Sequence, residues 1–138
     1  KNTAAEITSK VFPIDVDKTY RLDGIEFDTL PSYNNGKPFH PKEKNYVGYN
    51  IMIDNEKYYI MGDTDRTKET DEVKTDICFI PIGGTYTMDA DEAGEYINYI
   101  KPKKAIPIHY GSIVGNVDLG EKFKKQVNKE IEVEIQIK

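Results

Sequence analysis

The sequence predicts an α/β domain in which helices flank a mixed β-sheet. Three observations carry this prediction: alternating strands fill the first half, a strand–helix–strand unit follows, and two helices have clear start signals. With 138 residues, of which 38% are hydrophobic, the chain is expected to form a single domain over residues 1–138 with a sizeable core.

The first half has the composition and periodicity of β-strands. Residues 11–16 and 18–22 are expected to pair across Asp17. Residues 24–30 alternate apolar and polar side chains, which indicates a strand with one face exposed to solvent.

A hairpin and a long loop complete this half. Residues 46–54 and 57–61 are expected to pair across a two-residue connection, Asn55-Glu56, although this is not a favoured turn pair. Residues 31–45 are rich in Pro, Gly, Asn and Lys and have no period. Loops of this length in compact domains are more often functional than idle.

The second half predicts a strand, a helix and another strand. Residues 76–81 contain four consecutive apolar side chains, which is typical of an inner strand covered on both faces. Asp89 and Glu92 form a capping-box pattern at the start of a helix that Pro102 ends. A short buried strand, residues 104–108, follows.

The end of the chain predicts one more helix and strand. Asp118, with Glu121 three residues later, is expected to start the helix. Residues 131–137 alternate apolar and polar side chains as a final strand.

Composition excludes several classes of protein. The net charge of −5 argues against nucleic-acid binding, which favours a basic surface. No apolar run approaches the roughly 18 residues of a membrane span. The single cysteine, Cys78, lies in an apolar strand and is expected to be inert; the chain fits a reducing, cytoplasmic compartment.

Polar residues follow three of the predicted strands. Asp63, the pair Gly83-Gly84 and His109 would share one edge if these strands run parallel, and ligands gather at that edge. Carboxylate and imidazole suit zinc, iron or manganese. The alternatives stay open, because a Gly-Asp pair is commonly a turn and a lone histidine is commonly a satisfied core residue.

Three segments in this order resemble the metallo-β-lactamase superfamily. They are residues 58–65, YYIMGDTD, residues 76–88, DICFIPIGGTYTM, and residues 106–111, IPIHYG. Within this superfamily, the sequence is most similar to the branch of small, UlaG-like metal-dependent hydrolases. The resemblance covers about residues 24–115, and it implies the C-terminal half of an αββα fold, with the N-terminal half absent.

The resemblance implies roles for individual residues. Asp63 would bridge two metal ions and His109 would bind the second. The sequence has Tyr33-Asn34 where the family usually has a further histidine. His40 either replaces that histidine as a metal ligand or only lines the loop, and Asp65 would orient His109.

Residues near the predicted helix start are candidates for substrate binding. Gly83, Gly84 and Thr85 would offer backbone N–H groups. Tyr86 and Tyr110 are candidate substrate contacts.

The family's first metal motif, His-x-His-x-Asp-His, cannot be present, because the chain has only two histidines. For the intact parent we expect a zinc enzyme, or a manganese or iron one, whose activated water attacks an ester, lactone, amide or phosphodiester of a small molecule. This chain alone is expected to be inactive and to pair through exposed strand faces with its missing half or a second copy. The alternatives are a non-catalytic remnant used for interaction and a small binding module with a closed core.

Overall fold

The computed structural model describes residues 10–137, whose strands form one seven-stranded sheet in sequence order. The first three strand pairs are antiparallel and the last three are parallel, which confirms the predicted mixed sheet. The strands are β1 (Lys18–Leu22), β2 (Ile25–Pro31), β3 (Val47–Ile53), β4 (Glu56–Ile60), β5 (Ile77–Pro81), β6 (Lys104–Ile108) and β7 (Glu132–Val133).

In the part of the chain that the structure describes, three α-helices accompany the sheet: α1 (Lys68–Asp71), α2 (Ala90–Ile100) and α3 (Asp118–Gln126). The predicted capping box of α2 is confirmed, because the Asp89 side chain accepts from the N–H groups of Asp91 and Glu92 while Glu92 accepts from Asp89 N–H. Within residues 10–137, no helix has the length and apolar character needed to cross a membrane.

The helices cover one face of the sheet and bury its core. Tyr59 and Cys78 are fully buried, together with Tyr96 and Ile97 of α2 and Phe123 of α3. Burial raises the pKa of the Cys78 thiol, so the prediction that this cysteine is an inert core residue agrees with its surroundings.

The opposite face of the sheet is more exposed. Because side chains alternate along a strand, the neighbours of buried Tyr59, namely Tyr58 and Ile60, lie on this second face. Ile60 is 39% exposed and Ile53 is 44% exposed. Tyr49 and Phe79, both partly buried, lie on the same face because each pairs with Ile60 of β4.

Two turn predictions were wrong in the first half. Residues 11–16 are not a strand; β1 pairs instead with β2 across Asp23-Gly24. The β3–β4 turn is Asp54-Asn55, one residue earlier than predicted, since Ile53 pairs with Glu56. All four turn residues have positive φ, which Asp, Asn and Gly tolerate in tight hairpins.

The end of the chain agrees with one prediction and corrects another. Asp118 is the first residue of α3, as predicted, and its N–H donates to the Asn116 side chain. The predicted strand over residues 131–137 is limited to β7, although Glu134 N–H still donates to Ala105 O.

The contact between α2 and α3 depends on a small residue. A Cβ added at Gly94 would lie 2.5 Å from Gln126 Cβ, so Gly94→Ala must push the helices apart. We expect the free energy of unfolding to fall by about 1–2 kcal/mol, since overpacking outweighs the better helix propensity of alanine. Urea denaturation measures the change. The control Glu95→Ala, on an exposed position of the same helix, should be near neutral, and equal stability of both variants would contradict the packing argument.

Candidate metal centre

Asp63 lies at the edge of the sheet where its parallel strands end. It follows β4, buried Met61 and Gly62, whose φ of +71° turns the chain at this point. His109 directly follows β6, two strands away in the same parallel group. The shared edge that the sequence predicted therefore exists.

The Asp63 carboxylate lies between two imidazoles. Its Oδ1 is 3.4 Å from His109 Nε2, and its Oδ2 is 3.3 Å from His40 Nε2. The Asp63 side chain is 40% exposed, and those of His40 and His109 are 24% and 30% exposed. His40 is thus beside Asp63 rather than merely in the loop, and the three side chains form a half-buried cluster.

The spacing fits metal ligands better than it fits direct ion pairs. Charge-assisted N–H···O bonds are usually about 2.7–2.9 Å long. Two ligands on one tetrahedral zinc, with bonds of about 2.0–2.2 Å, are roughly 3.3–3.5 Å apart. Both nitrogen–oxygen distances fall in that second range. The donor types and their separation therefore fit a divalent cation on each side of Asp63.

The cluster is nevertheless short of donors. Each side offers one carboxylate oxygen and one imidazole, whereas a catalytic zinc usually takes three protein ligands. Across residues 10–137, no group of three or more His, Cys, Asp or Glu side chains is arranged so that it could hold a metal ion.

Both histidines have strained backbones. His40 has φ +47° and His109 has φ +58°, a region that residues other than glycine rarely adopt. Such conformations persist only where the surrounding structure imposes them, and they cluster at functional sites. His109 Nδ1 is in addition buried, with no hydrogen-bond partner among the described residues.

The loop that carries His40 is tied to the segment after Asp63. Tyr33 N–H donates to Thr64 Oγ1, and Thr64 Oγ1–H and Asp65 N–H are both directed at Tyr33 O. Farther out, Glu69 accepts from Tyr33 OH and Lys42 Nζ. Burial raises the pKa of Glu69, but these hydrogen bonds outweigh it and lower the pKa to about 2.

Asp65 does not orient His109, so that prediction is wrong. Its carboxylate accepts instead from Asn35 N–H and Lys37 Nζ. The sequence could not show this, because these partners lie about thirty residues away in a loop without periodicity.

The two glycines that were predicted to bind substrate also contribute to the packing and hydrogen bonding of their loop. A Cβ on buried Gly83 would overlap His109 O and lie 2.8 Å from Val114 Cγ2, so Gly83 allows the two loops to touch. Gly84 N–H already donates to Met88 O. Thr85 is exposed in this loop.

The two tyrosines differ in exposure. Tyr86 is partly exposed, its ring makes an edge contact with Phe39 at 4.7 Å between centroids, and its backbone O accepts from Asn34. Tyr110 is only 4% exposed, and its hydroxyl donates to Ile137 O. Substrate binding by Gly83, Gly84, Thr85, Tyr86 and Tyr110 stays a prediction.

Two clefts reach the cluster. A cleft of about 300 Å³ adjoins His109 and includes Ile113, which is 93% exposed and was not singled out in the sequence. A larger cleft of about 1090 Å³ contains His40 and Asp63 and continues along the exposed sheet face past Val47 and Tyr49. The cluster is therefore accessible from two directions.

The mixed sheet, with its helices on one face, defines the class of α/β protein to which this chain belongs. The family described as beta-lactamase superfamily domain matches residues 1–109, which include Asp63 and end at His109. The chain belongs to this family, and its resemblance to the metallo-β-lactamase superfamily is confirmed.

Relatives with related names support the assignment. A metal-dependent hydrolase of Thermococcus onnurineus is 31% identical over 117 residues, which are 81% of this chain and 52% of the relative. One of Staphylococcus carnosus is 39% identical over 88 residues, which are 60% of this chain and 38% of the relative. The chain spans about half the length, or less, of these curated relatives.

Solved structures show the same fold. A metal-dependent hydrolase of Parabacteroides distasonis superposes with a TM-score of 0.84 at 26% identity, over 100% of this chain and 63% of that one. The metallo-β-lactamase-fold protein YhfI of Bacillus subtilis gives 0.76 at 12% identity, over 99% and 58%. The second likeness shows the fold alone.

The contact between Gly83 and His109 can be tested by spectroscopy. In Gly83→Ala, the added methyl group must displace the His109 backbone, so we expect the NMR signals of the His109 ring to move while those of His40 stay in place. Only these two histidines occur in the chain, so the signals are readily assigned. Thr85→Ala, in the exposed part of the same loop, is the control. Unchanged His109 signals in Gly83→Ala would show that the contact is not tight.

Proposed function

We propose that this chain provides the Asp63 side of the active site of a metal-dependent hydrolase acting on a small molecule. The bond cleaved would be an ester, lactone, amide or phosphodiester. The single observation that carries the proposal is the Asp63 carboxylate, whose two oxygens face two different imidazoles at ligand-to-ligand distances. Zinc is the proposed metal, with manganese or iron as alternatives.

Each of the three residues has a defined task in this proposal. Asp63 would hold a cation with each oxygen, which makes it the bridge, while His40 and His109 would each bind one cation through Nε2. When bound, such cations supply Lewis acidity and an activated water at neutral pH. The half-exposed position of the cluster keeps the cleft beside His109 open to a substrate.

The remaining ligands are proposed to come from polypeptide beyond this chain. The relatives are about twice as long as the matched region, and two histidines cannot make up the family's first metal motif. The same polypeptide is the partner that we propose for the exposed sheet face, where Ile53 and Ile60 would otherwise contact water. This chain alone is therefore proposed to bind metal weakly and to lack turnover.

Metal binding is the first test. Asp63→Ala removes the carboxylate that lies between the two imidazoles, so we expect loss of measurable zinc binding in isothermal titration calorimetry. In the intact parent protein, the same substitution should abolish both metal content and turnover. Asp91→Ala is the matched control, because this exposed carboxylate lies on α2 and bonds Lys122 and Gln126.

Two outcomes would contradict the proposal. Full zinc binding by Asp63→Ala would place the metal elsewhere. An intact parent protein that binds no metal would favour the non-catalytic remnant. The other alternative, a binding module with a closed core, does not agree with the exposed apolar side chains on the second sheet face.

The proposal that another polypeptide covers the sheet face can be tested by measuring the size of the particles that the chain forms in solution. We expect this chain alone to self-associate in sedimentation velocity experiments, because apolar surface on the uncovered face favours association. The parent protein containing the rest of the relatives' length should not self-associate through this face. Ile60→Glu should reduce association of the isolated chain, whereas Tyr99→Glu, at an exposed site on α2, should leave it unchanged. Equal association of both variants would argue against the sheet face.

A further inference from the structure

We propose that Lys37 and Asp65 are positioning residues for His40: their salt bridge fixes the loop that presents the imidazole to Asp63. This inference rests on the proposed function, because the position of His40 matters chemically only if His40 binds metal. Neither residue touches His40 directly, so the effect would pass through the loop backbone.

The salt bridge is well formed and sheltered. Lys37 Nζ lies 2.6 Å from Asp65 Oδ1 and 2.7 Å from Thr87 O, while Asp65 Oδ2 accepts from Asn35 N–H at 2.8 Å. The side chains of Lys37 and Asp65 are 26% and 11% exposed. Sheltered pairs of this kind are strongly disturbed when one partner is removed, since the other charge stays behind.

The backbone connects this salt bridge to His40. Asn34 N–H donates to His40 O at 3.0 Å and closes the tip of the loop, with Asn35 and Lys37 inside the closed turn. The Asn34 side-chain amide lies 3.3 Å from His40 Nδ1 and donates to Tyr86 O at 2.7 Å. A shift of residues 35–37 away from Asp65 would therefore move His40 as well.

The spacing of Asp63 and Asp65 fixes the position of the His40 loop relative to the carboxylate that His40 faces. They lie two residues apart on one segment, so the carboxylate that faces His40 and the carboxylate that anchors its loop move together. His40 has φ +47°, a conformation that must be imposed from outside. The Asp65 anchor supplies such a constraint at the opposite side of the loop tip.

The test measures zinc binding and the histidine signals in the same variants. In Lys37→Met and in Asp65→Asn, we expect zinc affinity to fall about 10–100-fold, which is typical when residues that orient a metal ligand are lost. In the metal-free chain, the NMR signals of the His40 ring should shift while those of His109 stay. Lys37→Arg, which keeps the charge and reaches the same carboxylate, should restore most of the affinity.

A matched control separates positioning from general damage to the loop. Lys42→Met removes the other lysine of this loop that is paired to a carboxylate, Glu69, with the Lys42 side chain 50% exposed. It should leave zinc affinity and His40 signals close to those of the unchanged chain. An equal loss of affinity in Lys42→Met and Lys37→Met would overturn the inference, because any loosening of the loop would then suffice.

The remaining outcomes are also decisive. Wild-type affinity together with unmoved His40 signals in Lys37→Met and Asp65→Asn would overturn the inference but leave the proposed function intact. If the unchanged chain binds no zinc, the proposed function fails for this chain, and the metal-free NMR comparison decides the positioning. His40 signals that shift alone would then support it, and signals of both histidines that shift together would overturn it.

Discussion

The arrangement around Asp63 depends on one carboxylate that two imidazoles approach from different sides. A carboxylate has two oxygens, and it can contact two different partners only if each partner is held on its own side of the group. His109 reaches Oδ1 from the end of a strand, and His40 reaches Oδ2 from a loop. The cluster therefore requires that three distant parts of the chain, including two residues with strained backbones, be held in register.

The two histidines are held by different means. His109 follows a buried strand whose hydrogen bonds to β5 fix its position, so the sheet itself provides the precision. His40 lies in a loop, where ordering each residue costs conformational entropy without a regular ladder to offset it. The bonds from Tyr33, Asn35 and Lys37 to Thr64 and Asp65 replace that ladder. This accounts for the many polar contacts between the loop and the segment after Asp63.

Sequence patterns predicted those parts of the fold that depend on neighbours along the chain. The capping box at Asp89 and the helix that ends before Pro102 follow from local hydrogen bonding, and the structure confirms them. The meeting of Asp63 and His109 could be predicted because parallel strands must end at a common edge. The turn at Asp54-Asn55 was misplaced by one residue, since alternation along the strands does not determine which two residues form the turn.

The partners of Asp65 and the position of His40 lay beyond such patterns. Both depend on how an aperiodic loop folds back over the sheet edge, and that path is set by contacts between residues about thirty positions apart. From the resemblance to the family, His40 was a candidate metal ligand, but its position relative to Asp63 could not be predicted. The ring reaches Asp63 only through the path of the folded loop.

The side of the cluster that lacks metal ligands and the exposed face of the sheet adjoin each other. The larger cleft begins at His40 and Asp63 and runs past Val47 and Tyr49 of β3, so the cluster opens toward that face. A polypeptide packed against the apolar side chains there would also lie near the open side of Asp63. One covering segment could thus bury the sheet face, exclude water from the cluster and bring further ligands. We therefore propose that metal affinity and coverage of the sheet face are coupled, since one segment would contribute to both.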